Sequence, residues 1–256
     1  MITLASDFGS PYPAAMKGAI LRRCDARLVD IAHDFPRQDV ATSAFWLRET
    51  LPEFPPAVHL VVVDPGVGTD RAALVVRAGE HVLVGPDNGV LYPPARALAV
   101  DGENGSDITA YEIRVDEPRS STFHGRDVFA PAAADIHGVD PDRLSEHSSL
   151  SPADNPVDLR FPTPDIEEGD ATATVLAVDG FGNVITNLPG DVLRDREMVG
   201  VDGERRPVVR SYAHADPGTP VVTVGSHGNV ELAVNRGRGS EAFGVAVGDA
   251  VRIDLR

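Results

Sequence analysis

The sequence predicts an N-terminal α/β domain with a mostly parallel sheet, followed by a smaller C-terminal domain that is an all-β barrel. In the first half of the 256-residue chain, short β-branched runs alternate with helical patterns, as in layered α/β folds. Residues 139–170 are rich in Pro, Asp and Ser, and the remainder contains short strands separated by turn residues, which is typical of small barrels. We expect the α/β domain to cover residues 1–155, a linker 156–170 and the barrel domain 171–256.

The N-terminal half contains five predicted strands and three predicted helices. The strands cover residues 2–4, 28–31, 59–63, 74–76 and 82–84. Pro13 suits the first turn of a helix that runs to about Arg23. The second helix precedes Pro52 and carries apolar residues at helical spacing, namely Val40, Ala44, Leu47 and Leu51. The third helix begins near Arg126 and ends at Gly138.

The C-terminal half contains six short predicted strands. They cover residues 172–178, 184–187, 208–210, 221–224, 230–234 and 251–255. Because these runs are β-branched and are separated by turn residues, they favour a small barrel or sandwich.

The chain is strongly acidic, with a formal net charge of −16 and Lys17 as its only lysine. Binding to a nucleic acid is therefore disfavoured. A salt-rich cytoplasm and an arginine-rich genome would both explain this composition, and the sequence leaves both hypotheses open. No apolar run approaches the roughly 20 residues that span a bilayer, and the single Cys24 cannot form an internal disulfide. We therefore expect a cytoplasmic protein without a membrane partner.

Polar residues follow several predicted strands at the point where each strand ends. Asp7 follows the first strand, Asp64 ends the most hydrophobic one, and Asn88 lies in the turn after another. His124 precedes the third helix. Each residue alone has an ordinary explanation in turn or cap chemistry. Because α/β sheets bind ligands at strand ends, the four side chains together predict one pocket.

Some of these residues also fit the motifs of other protein classes. The triplet Asp7-Phe8-Gly9 lacks the other parts of a kinase, and Gly66-Val67-Gly68 lacks the third glycine of a dinucleotide site. Asp7, Asp64, Asn88 and His124 are ligand types that a two-metal phosphoesterase uses. The histidines lack short ligand spacings, so this enzyme class stays an alternative and no metal is expected.

Motifs in the same order along nearly the whole chain resemble one family. They are Ser6-Asp7-Phe8-Gly9, Met16-Lys17-Gly18, Gln38-Asp39-Val40, Asp64-Pro65-Gly66-Val67-Gly68-Thr69 with Arg71, Gly85-Pro86-Asp87-Asn88-Gly89, Thr122-Phe123-His124-Gly125-Arg126-Asp127 and Asp179-Gly180-Phe181-Gly182-Asn183-Val184-Ile185-Thr186-Asn187. Together they resemble the S-adenosylmethionine (SAM) hydroxide adenosyltransferases, a family that also contains fluorinating and chlorinating enzymes.

The resemblance implies an α/β domain, a β-barrel domain and a homotrimer whose site lies between neighbouring subunits. It implies hydrolysis of SAM to adenosine and methionine, with no cofactor besides the substrate. The implied catalytic residues, placed around the attacking water, are Asp64, Arg71 and His124. The implied substrate-binding residues are Asp7 for the ribose hydroxyls, Asn183 for adenine, Asp179 with Ser226 for methionine, and in addition Phe8, Asn88 and Phe181.

The two activities of the family differ at one pair of positions. Halogenating members carry Tyr-Ser where this chain has His124-Gly125, so the serine that donates to the halide is absent here. His227 and Val234 stand where those members have arginines. The resemblance therefore favours water as the nucleophile. A halogenase of the same fold, a metal-dependent phosphoesterase and a non-catalytic nucleoside-binding protein remain the alternatives.

Overall fold

A computed structural model describes residues 1–99, 108–114, 120 and 122–256. The chain forms two compact units, Met1–Arg160 and Phe161–Arg256. None of the described helices has the length and the apolar character that crossing a bilayer requires.

The first unit is built on a sheet whose described part has seven strands. They are β1 Ile2–Ser6, β2 Leu28–Ala32, β3 Val58–Val62, β4 Ala73–Ala78, β5 His81–Pro86, β6 Ile108–Ile113 and β7 Leu150–Pro152. Their order across the sheet is β2-β1-β3-β5-β4-β6-β7. The central strands β1 and β3 are buried along their whole length, which explains their continuous apolar composition.

The prediction of a mostly parallel sheet is wrong, because the sheet is mixed. Strands β2, β1, β3 and β5 pair in parallel, whereas β4, β6 and β7 join the sheet through antiparallel pairs. Strands β4 and β5 are separated by Gly79 and Glu80 alone. A parallel pair needs a long crossover, so this short connection permits only a hairpin. Gly79 has φ +58°, which a tight turn of this kind requires.

Helices cover the sheet, and the three predicted ones are confirmed. They are α1 Tyr12–Leu21, α2 Val40–Thr50 and α4 Ala130–Ile136, the last preceded by a π-helical turn, Gly125–Phe129. Sequence patterns missed α3, Tyr92–Leu98, because it is short and contains two prolines. Apolar side chains of α1, α4 and the π-helical turn form one core with alternate residues of β1 and β3.

The second unit is a nearly closed antiparallel barrel. Its strands are β8 Asp165–Glu167, β9 Asp170–Val178, β10 Val184–Pro189, β11 Met198–Val201, β12 Glu204–Pro207, β13 Pro220–Val224, β14 Asn229–Val234 and β15 Ala250–Asp254, and a short helix α5 spans Gly239–Phe243. Their order is β12-β11-β15-β9-β10-β14-β13, with β8 paired to β9. A bridge between Val208 and Val222 brings the two ends of this order together.

One predicted strand of the second unit is displaced. Residues 208–210 were expected to form a strand, but the strand is Glu204–Pro207 and only Val208 makes a bridge. The hairpin of β11 and β12 turns at Asp202 and Gly203, both with positive φ. Polar residues dominate β12, so an apolar pattern could not reveal it.

Two hydrogen-bonded histidines lie in β3 and β5 of the first unit, His59 fully buried and His81 partly buried. The imidazole of His59 is fully buried. Its Nδ1 shares a hydrogen bond of 2.8 Å with Thr3 Oγ1, and its Nε2 shares one of 2.9 Å with His81 Nδ1. Burial, and secondly the neighbouring His81, lowers the pKa of His59 from 6.5 to about 3. The unfolded chain therefore binds more protons than the folded chain below pH 6.5, and stability falls as the pH drops.

We expect the free energy of unfolding to fall by about 2 kcal/mol between pH 7 and pH 5 through His59 alone. Urea titrations at the two pH values should show that His59→Gln, which cannot titrate, removes this part of the loss. The control is His214→Gln, at an exposed histidine of the second unit, which should lose as much stability as the wild type. Equal losses in wild type and His59→Gln would contradict the prediction.

Candidate active site

An open pocket of about 560 Å³ lies at the strand ends of the first unit. Four of the site residues predicted from the sequence lie on its wall. They are Asp7 and Phe8 after β1, Asp64 after β3 and His124 before the π-helical turn. The remaining lining residues are Tyr12, Arg37, Gln38, Val62, Val67, Ser120, Thr122, Phe123, Gly125 and Arg126. The position agrees with the general tendency of α/β sheets to place ligands at the carboxyl ends of strands.

Arg71 connects Asp64 to His124. Its Nε donates to Asp64 Oδ1 at 2.9 Å, and its Nη2 donates to Asp64 Oδ2. The same Nη2 donates to His124 Nδ1 at 3.1 Å. The side chains of Asp64 and Arg71 are only 7% and 11% exposed, so solvent screens this ion pair weakly.

The loop between Asp64 and Arg71 explains how these residues meet. Thr69 N and Thr69 Oγ1 both donate to the carbonyl of Gly66, at 3.1 and 2.7 Å. Gly68 has φ +82°, a left-handed conformation that glycine adopts without strain. A Cβ on Gly66 would lie 3.2 Å from Arg71 Cγ. The two glycines therefore let the loop turn tightly, and the guanidinium returns to the carboxylate.

The Arg71 contact determines which nitrogen of His124 carries a proton. A guanidinium only donates hydrogen bonds, so His124 Nδ1 must accept. Burial, and then the charge of Arg71, lowers the pKa of His124, although Asp64 and Asp127 act in the opposite direction. The imidazole is therefore neutral near pH 7, and its proton lies on Nε2.

Two packing contacts hold this cluster in place. The Arg71 guanidinium carbon lies 4.8 Å from the centroid of the Phe129 ring, within cation–π range. Gly125, next to His124, is enclosed. A Cβ there would lie 3.0 Å from Met16 Sδ and 3.2 Å from both Phe123 and Val62. A serine at position 125 would require these neighbours to move.

Asp7 is oriented by a backbone donor that the sequence did not indicate. Gln38 N donates to Asp7 Oδ2 at 2.6 Å, and Gln38 has φ +61°, which is uncommon for a residue with a side chain. Ser6, beside Asp7, shares a hydrogen bond of 2.7 Å with His33 Nδ1. His33 Nε2 lies 3.0 Å from Asp30 Oδ1. These contacts join the ends of β1 and β2 below the pocket.

Asn88 uses its side-chain amide within the protein. Its Nδ2 donates to the carbonyl of Val63 at 2.9 Å, and its Oδ1 accepts from Val90 N at 3.1 Å. Asn88 therefore holds the backbone immediately before Asp64.

In the second unit, Asp179 and Asn183 share one turn between β9 and β10. Asp179 Oδ1 accepts from Phe181 N at 2.9 Å and from Asn183 N at 2.8 Å. Asp179 Oδ2 accepts from Asn183 Nδ2 at 2.9 Å. Phe181, at the tip of this turn, is 81% exposed. Asn187, the last residue of the same sequence motif, uses its amide within the protein, where it bonds Thr174 N and the carbonyl of Pro162.

A polar chain that the sequence did not predict extends from this turn. Asn183 Nδ2 lies 3.4 Å from Tyr212 Oη, which donates to Glu231 Oε1. Burial, followed by the bond to Glu231, raises the pKa of Tyr212. His227 Nε2 lies 3.4 Å from Glu231 Oε2. Ser226, the residue before His227, is exposed in the turn between β13 and β14.

Among the residues that the structure describes, His, Cys, Asp and Glu side chains form no group of three or more suited to a metal ion. The ligand types noted in the sequence, Asp64 and His124, instead bond to Arg71.

The chain is thus a two-domain protein in which a mixed α/β unit with an Asp/Arg/His cluster at its strand ends is followed by a β-barrel unit. Residues 2–145 match the SAM hydroxide adenosyltransferase N-terminal domain, and residues 173–252 match the C-terminal domain of the same family. The chain belongs to the SAM hydroxide adenosyltransferase family.

Individual proteins similar to this chain support the same family assignment. An (R)-S-adenosyl-L-methionine hydrolase from Salinispora tropica is 39% identical over 98% of this chain and 97% of its own length. The crystal structure of an uncharacterized conserved protein from Thermotoga maritima is similar with a TM-score of 0.82 and 33% identity, covering 99% of this chain and 100% of that one. A fluorinase from Actinopolyspora mzabensis is 26% identical over 99% of this chain and 96% of its own length.

Proposed function

We propose that this chain hydrolyses SAM to adenosine and L-methionine by attack of water on the ribose C5′. The observation that carries the proposal is the Arg71 guanidinium, which holds Asp64 and His124 together at the wall of an open pocket. A relative of 39% identity over nearly its whole length carries the name of this activity.

The substrate determines what the protein must supply. A sulfonium leaves as a neutral thioether, so the leaving group needs no protonation. Water forms the new C5′–O bond as the C5′–S bond breaks, and the electron pair stays on sulfur. The protein must align the water opposite the sulfur, at about 3 to 3.5 Å from C5′, and stabilise its loss of a proton. This chemistry requires no cofactor, and none is part of the proposal.

His124 is proposed as a donor to the attacking oxygen, and Arg71 as the cation that orients Asp64 and His124 beside it. A guanidinium stays protonated and cannot act as a base, but its charge favours developing hydroxide. His124 carries its proton on Nε2 because Nδ1 accepts from Arg71. A protonated Nε2 donates to the water oxygen and cannot accept its proton. We therefore assign proton acceptance to Asp64, the other pocket-lining residue of the cluster.

The substrate-binding assignments of the resemblance are kept. Asp7 and Phe8 are proposed to contact the ribose side, and Asp179, Phe181, Asn183 and Ser226 the adenine and methionine ends. Asn88 is kept as well, although its amide bonds Val63 and Val90, because the amide of Asn183 is likewise bonded to Asp179. We further propose a cytoplasmic homotrimer, in which the first unit of one copy and the second unit of the next enclose the substrate.

A halogenase is the strongest alternative, since it would use the same fold. Gly125 argues against it, because any side chain at this position would crowd Met16, Phe123 and Val62. The serine that resemblance associates with halide binding therefore has no counterpart here, and introducing one would require its neighbours to move.

Incubation with SAM in H₂¹⁸O tests the proposal directly. Mass analysis should show adenosine that carries the label at its 5′ oxygen, together with unlabelled methionine. Incubation with fluoride or chloride present should give the same product. A 5′-halogenated nucleoside would support the halogenase, and turnover abolished by a chelator and restored by manganese would support a metal-dependent enzyme. Binding of SAM without any turnover would identify a nucleoside-binding protein.

A further inference from the structure

Three aromatic rings line the pocket beside the catalytic cluster and contact one another edge to face. The ring centroids of Phe8 and Tyr12 are 6.1 Å apart, those of Phe8 and Phe123 are 6.1 Å apart, and those of Tyr12 and Phe123 are 5.5 Å apart. The angles between the planes are 83° to 88°. The rings come from the end of β1, the start of α1 and the segment before the π-helical turn.

Core packing does not account for the position of Tyr12. Phe8 and Phe123 are partly buried against the core of the first unit, but Tyr12 is 54% exposed and lies on the pocket wall. The group already accepts one cation, since the Arg126 guanidinium carbon lies 5.1 Å from the Phe123 centroid. Arg126 is held there by Asp127 through two hydrogen bonds of 2.7 Å.

Three carboxylates at or next to the pocket each accept at least one hydrogen bond within the protein. Asp64 is paired with Arg71, Asp127 is paired with Arg126, and Asp7 Oδ2 accepts from Gln38 N. A sulfonium also has no N–H or O–H to donate, so a carboxylate cannot hold it by a directional hydrogen bond. Ring faces attract such cations through their quadrupoles, as in the aromatic cages that bind quaternary ammonium groups.

We propose that Phe8, Tyr12 and Phe123 form an aromatic cage that recognises the positive sulfur of the substrate. The cage makes the site selective for a sulfonium over the corresponding neutral thioether. It thereby favours release of the product, because sulfur loses its charge when the C5′–S bond breaks. This inference rests on the proposed hydrolysis of SAM.

The test compares three ligands on the full chain: KM for SAM, and inhibition constants for the neutral thioether S-adenosylhomocysteine and for adenosine. Tyr12→Leu should raise KM for SAM by roughly three- to thirty-fold, the range expected for a cation–π contact. The constants for the two neutral ligands should change less than about twofold on the same argument. Tyr12→Phe keeps the ring and should retain the selectivity for SAM over the two neutral ligands that Tyr12→Leu loses.

Two further variants complete the design. Phe8→Leu should reproduce the loss of selectivity, whereas Phe54→Leu, the same change outside the pocket residues, should not. Equal weakening of all three ligands by Tyr12→Leu would show that the rings bind the adenosine part, and would overturn the cage. Unchanged selectivity with normal hydrolysis would overturn the cage alone. A wild-type chain that neither binds nor hydrolyses SAM would overturn the proposed function as well.

Discussion

Replacing Arg71 with alanine is expected to lower kcat for SAM hydrolysis by about 10²-fold or more, while KM changes little. The proposed substrate contacts lie on other residues, so binding persists when the guanidinium is removed. The loss falls on the chemical step, because no other group in the cluster is a fixed cation that also touches both Asp64 and His124. Initial rates over a range of SAM concentrations separate the two parameters.

Arg71→Lys distinguishes charge from geometry. A lysine keeps the positive charge but lacks the planar fork that bonds both oxygens of Asp64. We expect this variant to lose at least roughly tenfold in kcat. Arg143→Ala serves as the matched control, because Arg143 pairs with Glu146 on the surface and is 68% exposed. Full activity in Arg71→Ala would show that the guanidinium does not activate the water.

The free energy of unfolding of these variants must be measured alongside their activity. Removing Arg71 leaves Asp64, which is 7% exposed, without its cation, and breaking a buried pair in this way costs about 3 kcal/mol or more. Asp64→Ala with Arg71→Ala removes both charges. Because the two residues act as one unit, the double variant should be no less active than the poorer single variant. Circular dichroism at the assay temperature confirms that each variant is folded.

The part of the fold that sequence patterns predicted is the part governed by local periodicity. Strands β1, β3 and β9 and helices α1 and α2 have long apolar patterns, and all were located. The direction of strand pairing is not a periodic property, and the mixed sheet was missed although Gly79 and Glu80 indicate a hairpin. Strand β12 was missed because its exposed, charged residues carry no apolar alternation.

The site shows the same division between local and tertiary information. Asp64 and Arg71 are seven residues apart on a glycine-containing turn, so their contact could be anticipated from the loop. His124 is 53 residues from Arg71, and only the family resemblance linked them. The backbone donor at Gln38 has no side-chain signature at all. The intramolecular bonds of the Asn88 amide to Val63 and Val90 likewise have no signature in the sequence.

Removing the imidazole of His124 is also expected to lower kcat strongly. His124→Ala is expected to lower kcat by roughly 10²-fold, since it removes one donor to the attacking oxygen. His124→Asn should retain about tenfold more activity than His124→Ala, because its amide can accept from Arg71 and donate to the water, as a neutral imidazole does. An amide cannot take up a proton. A general-base role for His124 therefore predicts that both variants are equally inactive, and that result would contradict the assignment of Asp64 as the acceptor.

The pH dependence of the activity tests independently whether His124 acts as a neutral donor. Burial and the charge of Arg71 hold the pKa of His124 below 6.5, so the neutral form that Arg71 requires persists through pH 7. Activity should be constant between pH 8 and pH 7.5 and should fall as the pH drops through the lowered pKa of His124, where protonation of Nδ1 breaks its bond to Arg71 and places two cations together. In His124→Asn the midpoint of the acidic limb should move to lower pH, whereas His147→Asn, at a histidine outside the pocket residues, should leave it in place. An unchanged midpoint in His124→Asn would contradict the assignment of this limb to His124.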